Sequence, residues 1–139
     1  MKFRFRLAAV VLGAASVLLA GCAVPTAQSL SEDTWVAVAI DGVAAVVPAP
    51  PTLRWTDTGR VSGSGGCNQF SGKYTLEFDR MAFSALAATR MLCVPAPQGQ
   101  EDKFFKALEL TRRVQLADGV LLLLDEQGQP LIRMVKGSR

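Results

Sequence analysis

Histidine is absent from the 139 residues. Its absence removes Ser-His and Cys-His nucleophile pairs, the usual neutral-pH proton shuttle and the commonest metal ligand. Charge is also scarce: charged residues are 19% of the chain against 50% hydrophobic, which excludes a disordered or fibrous chain. The formal charge of +3 comes entirely from Lys2, Arg4 and Arg6, and the remaining 12 bases face 12 acids. A nucleic-acid binder needs a surplus of cations on its working surface, so that class is excluded as a partner. No apolar run reaches the roughly 20 residues of a bilayer-spanning helix. One domain with one hydrophobic core fits this length.

The apolar run that is present, Leu7 to Leu19, follows the basic start Met1 to Arg6. A short basic region, a short apolar run and small residues before a cut form the secretory signal pattern. Leu19-Ala20-Gly21-Cys22 resembles the lipobox of bacterial lipoproteins. The resemblance implies that the Cys22 thiol is acylated (palmitate being one such acid), that residues 1–21 are cut away as a signal peptide, and that the new N-terminus is acylated as well. Two chains anchor stably where one does not. Ala23 in place of Asp implies an outer-membrane protein facing the periplasm, if the cell has two membranes. Residues 22–33 then read as a lipidated tether, small and polar with one proline.

With Cys22 assigned to lipid, Cys67 and Cys93 remain in an oxidising compartment. An even remainder there argues for a disulfide. The alternative is a reactive thiol, with Arg90 as the neighbouring cation in sequence. Two thiols without an imidazole do not make four zinc ligands, so no metal is expected, and no cofactor.

Past the tether, short strands alternate with turn punctuation. Thr34 to Ile40 alternates and ends at Asp41-Gly42, a strong turn signal. Val43 to Val47 is stopped by Pro48. Thr52 to Thr56 and Arg60 to Ser64 read as a hairpin. Gly63 to Gly72 holds four glycines and reads as one tight turn. Tyr74 to Phe78 and Met81 to Ser84 pair around Asp79-Arg80, and Ala85 to Cys93 reads as a bend or short strand. Glu101 to Leu110 has helical spacing, with Phe104, Phe105 and Leu108 on one side. Arg112 to Leu116, Val120 to Leu124 and Leu131 to Val135 are three further strands. The expected class is α+β: an antiparallel, β-rich domain covered by one main helix.

The order of pieces carries a family resemblance. GRVSGSGGCNQFSGKYTL at Gly59 to Leu76, ALAATRMLC at Ala85 to Cys93, the EDKFFKAL helix and LLLLDEQGQPLIRM together resemble the META domain of the HslJ-like heat-inducible lipoproteins. The domain would span residues 34–136. The resemblance implies a small barrel-like fold and an envelope protein linked to heat-shock or other stress. It implies no established catalytic residues and no agreed ligand. Leu92, where the family often has Ala, and the proline-rich Val94 to Gln100 depart from the pattern.

Few residues are left to carry chemistry. The glycine-rich segment lacks the Gly-Lys-Ser/Thr opening of a helix that a phosphate loop requires. Asn68 is expected to close that turn through its side chain, or else to present a contact to a ligand. Arg90 could fork onto a carboxylate or phosphate, or pair with an acid of the domain. Phe104 and Phe105 read as core, or as the floor of a groove. Glu32-Asp33, Glu101-Asp102 and Asp125-Glu126 are adjacent pairs that solvation explains. The expected protein is therefore not an enzyme. It is a lipid-anchored envelope domain that binds an envelope protein, a lipid or a small hydrophobic compound. The competing expectations are a pilot-like secretion accessory, which needs an open apolar cleft beside the helix, and a carboxylate-only hydrolase. The hydrolase needs two distant acids in one pocket, one with a raised pKa.

Overall fold

Two ends of the chain meet on one strand. In the computed structural model, which describes residues 24–31, 33–56, 58–93 and 99–138, β1 (Thr34–Ile40) pairs antiparallel with both β3 (Thr52–Trp55) and β9 (Pro130–Lys136). Between them run β4 (Arg60–Ser64), β5 (Gln69–Glu77), β6 (Arg80–Ala88), β7 (Arg113–Ala117) and β8 (Val120–Leu124), each bonded to the next. The β1–β9 pairing makes the antiparallel sheet ring-like, with β2 (Val43–Ala44) as a flap on β1. Closure leaves fewer free backbone edges than an open sheet would. The class is α+β.

The turn chemistry follows the sequence. Asp41-Gly42 and Asp118-Gly119 both take positive φ at each residue and close two-residue hairpins, Ile40 opposite Val43 and Ala117 opposite Val120. In β1 the ladder slips between Ala37 and Ala39. This bulge lets Trp35, Ala37 and Ile40 all turn inward while Val38 faces out.

The weakest seam of the ring lies between β6 and β7. Their ladder is the single pair Arg80 and Arg113, flanked by Met81 N–H to Arg112 O and Val114 N–H to Asp79 O. Beyond it β6 runs on beside α2 (Gln100–Leu110), which packs against β6, β1 and β9. The fastening is aromatic: Phe70 of β5 meets Phe104 and Phe105 edge-on, at 5.9 and 5.4 Å between ring centres. Phe104, Ala107 and Leu108 are buried, as the helical spacing requires.

Several expectations need correction. A second helix, α1 (Ala27–Ser31), lies where a tether was read. Pro25 and Leu30 are buried, and Leu30 O accepts from Trp35 Nε1 at 3.2 Å. The folded unit therefore reaches back before Thr34. Gly63 to Gly72 is two strand ends around a short turn rather than one turn. β6 continues through Ala88, with Ala85 in the left-handed region at φ 49°, and the β5–β6 turn is Phe78-Asp79 rather than Asp79-Arg80. Cys22, the signal segment 1–21, Glu32 and Val94 to Gln98 lie outside the described residues.

Candidate functional site

The turn between β4 and β5 already holds an anion, and it is the protein's own. Gly65 N–H donates to Asn68 O and closes the turn at 2.8 Å. Into it reaches the side chain of Glu101, one residue into α2. Its Oε2 accepts from the backbone nitrogens of Asn68 (2.6 Å) and Cys67 (3.1 Å), and its Oε1 accepts from Asn68 Nδ2 at 2.6 Å. The glycines make room. A Cβ on Gly65 would stand 2.7 Å from Glu101 Cγ and Oε2, and one on Gly66, at φ 111°, would stand 2.9 Å from Ala49 O. These nitrogens are the ones a phosphate would use, so the phosphate-cradle geometry is occupied by a carboxylate.

Burial pushes the Glu101 pKa up, but the bonds from Asn68 and Cys67 outweigh it and hold the carboxyl below its ordinary range. Asn68 is the junction. Its Oδ1 accepts from Thr89 Oγ1 (2.9 Å) and Met91 N–H (2.6 Å), while its amide nitrogen goes to Glu101. It is 8% exposed. Both ends of this amide are engaged, so Asn68 closes the turn and fixes two neighbouring segments to it. Thr89-Arg90-Met91 thus contributes through Thr89 and the Met91 backbone. Arg90 itself is exposed and bonds to none of the described residues.

Gln100, next to Glu101, does for a second loop what Glu101 does for the first. Its Oε1 accepts from Val46 N–H at 2.5 Å and its Nε2 donates to Ala49 O at 3.4 Å. It tethers the chain between β2 and β3 to a helix start that has no side-chain cap of its own. Cys67 and Cys93 form a disulfide with their Cα atoms 6.0 Å apart. A cleft of about 220 Å³ opens here, lined by the disulfide, Met91, Leu92 and Asp102. Leu92 is 98% exposed.

The opposite end of β5 carries a larger cleft, about 510 Å³, at the β6–β7 seam. Arg80, Arg112 and Arg113 line it with Glu77, Asp79 and Glu126. Arg113 Nε and Nη2 both bond to Asp79 Oδ2, at 2.9 and 2.5 Å, and this holds the Asp79 carboxyl below its ordinary range. Arg112 donates to Glu109 O and Thr111 O and so caps the end of α2. Acids from distant segments do share this cleft, but Asp79 is perturbed in the direction opposite to a general acid. Beside α2 the cleft lined by Ile40, Val43, Ala44, Val46, Gln100 and Lys103 measures about 80 Å³, a few water volumes. Among the described residues no group of three or more His, Cys, Asp or Glu could hold a metal ion, and no helix is long and apolar enough to cross a membrane.

Sequence reasoning missed Glu101 because an acid at a helix start has a sufficient local explanation, and Gln100 because it reads as the end of the proline-rich segment. The available signal was the glycine pair, whose second hydrogen had to be making space for something.

A family model described as the META domain matches residues 28–138. No curated protein matches. An NMR structure of a protein from Burkholderia xenovorans is 29% identical, covers 92% of this chain and 97% of its own, and superposes with a TM-score of 0.67. A second NMR structure is similar at 24% identity, 80% and 94% coverage and a TM-score of 0.65. A DUF4847 family protein from Bacteroides vulgatus shares the fold at 14% identity, with 81% and 97% coverage and a TM-score of 0.59.

Proposed function

The chain belongs to the META domain family, and from that premise we propose that it is a non-enzymatic, lipid-anchored domain of the cell envelope. It binds an envelope protein, a lipid or a small hydrophobic compound and helps maintain the envelope under stress, in the manner of HslJ-like lipoproteins. The supporting observation is positional. The described residues begin at Val24, two residues after Cys22, so cleavage before Cys22 would leave every described residue in place. An outer-membrane location facing the periplasm goes with this reading.

The polar groups best placed for chemistry also favour binding over catalysis. Glu101 and Asn68 are consumed by each other, and Asp79 is held ionised by Arg113. A pilot-like role draws less support, since the cleft beside Ile40 and Val46 measures only about 80 Å³.

Metabolic labelling with an alkyne fatty acid tests the anchor. The wild-type protein is expected to carry label and Cys22→Ser none. Equal labelling of the two would refute it.

A further inference from the structure

Phe78 is an oddity that the fold does not require. It is 79% exposed, and its φ of 56° puts a bulky side chain in the left-handed region at the tip of the β5–β6 turn. A glycine or asparagine would satisfy that turn at lower cost. Exposure and strain on the same apolar residue point to a use outside the fold.

The N-terminal segment lies next to it. Val24 (56% exposed) and Pro25 line a cleft of about 280 Å³ together with Phe78, Asp79 and Arg113. Pro25 is buried, so this end of the chain is fixed to the domain. Cys22 precedes Val24 by two residues, and two residues span at most about 7 Å. A lipid on Cys22 would therefore lie within about 7 Å of Val24, which shares this cleft with Phe78.

We propose that this end is a membrane-docking face, with Phe78 and Val24 inserted at the interface of the bilayer that holds the Cys22 lipid. The proposal rests on the lipid-anchor reading and specifies how the domain sits. Charge fits a zwitterionic headgroup layer: Arg80 and Arg112 face phosphate, and Glu77 and Glu126 face ammonium, around the cleft that adjoins the tip. The anchor makes insertion an intramolecular event, so one aromatic ring suffices. Docked this way, the Asn68–Glu101 turn and Leu92 point away from the membrane. They lie at the far end of β5, whose nine residues span about 30 Å.

The test uses the mature lipidated protein in phosphatidylethanolamine–phosphatidylcholine vesicles with brominated acyl chains. Trp35 and Trp55 are buried and give a shared background. Phe78→Trp is expected to add blue-shifted emission that the bromines quench at least about twofold more than the emission added by Leu92→Trp. Equal quenching of the two variants overturns the proposal. In detergent, Phe78→Gly is expected to melt no lower than wild type, because it relieves the turn. A fall of several degrees would show that Phe78 serves packing and would overturn the proposal as well. Intact mass of the same samples separates the two ideas. Unquenched Phe78→Trp on an acylated Cys22 sinks docking alone, whereas an unacylated Cys22 sinks the anchor and docking with it.

Discussion

Glu101 and Asn68 bind each other twice: the carboxylate takes the Asn68 side-chain amide on one oxygen and its backbone nitrogen on the other, both at 2.6 Å. The contact joins the start of α2 to a turn 33 residues earlier. It satisfies the donors of the turn and ties that turn to the start of the helix.

Replacing Glu101 with Ala strands two backbone donors and an amide. Unmet groups of this kind cost about 1–3 kcal/mol. Urea unfolding should show the midpoint fall at an unchanged slope. No change in midpoint would mean that water replaces the carboxylate without loss.

Gly65→Ala pushes a methyl against the same carboxylate, at 2.7 Å from Glu101 Cγ. It should destabilise the wild type by about 1–3 kcal/mol as an overpacking change. In the Glu101→Ala background the cost should largely vanish. A double-mutant cycle reads this coupling directly, and strict additivity would contradict the assigned contact.

The pH dependence has a definite sign. Glu101 and Asp79 both titrate lower in the folded protein than in the unfolded chain. Their stabilisation is present above the unfolded values, near 4.5 and 3.8. As pH falls below them, the unfolded chain takes up protons first, and stability drops until the folded carboxyls titrate too. Without histidine, the range from pH 6 to 8 should be nearly flat. Thermal melts across pH 2–8 check both parts, and Glu101→Ala should show a shallower acid decline.

Reducing Cys67–Cys93 opens a loop with a sequence separation of 26. Chain-entropy arithmetic assigns it about 3–4 kcal/mol. Melts with and without reductant should differ accordingly, and identical curves would remove the staple from the account.

The N-terminal helix offers a fifth stability test. Leu30 is fully buried although the segment around it reads as a polar spacer. Leu30→Ala should cost about 2–4 kcal/mol. A cost near zero in calorimetry would return residues 27–31 to the tether.

Much of the fold is legible in the sequence where a rule acts locally. Thr34–Ile40, Arg60–Ser64 and Val120–Leu124 alternate or run apolar between turn residues, and the structure gives them those same bounds. Asp-Gly dictates two hairpins. The disulfide follows from counting cysteines. What was not legible depends on partners far along the chain. Ala27–Ser31 is helical because Leu30 has a core to enter, which small polar neighbours do not announce. The glycine-rich segment reads as one tight turn until Glu101 is seen to need the space. Phe78 looks like an ordinary strand end until Val24 and Pro25 are found beside it.

Intact-mass spectrometry of the exported protein under non-reducing conditions tests the central claim most directly. The account predicts a chain that starts at Cys22, carries fatty acyl groups there and has no free thiol. A chain that starts elsewhere, or an unmodified Cys22, would contradict it.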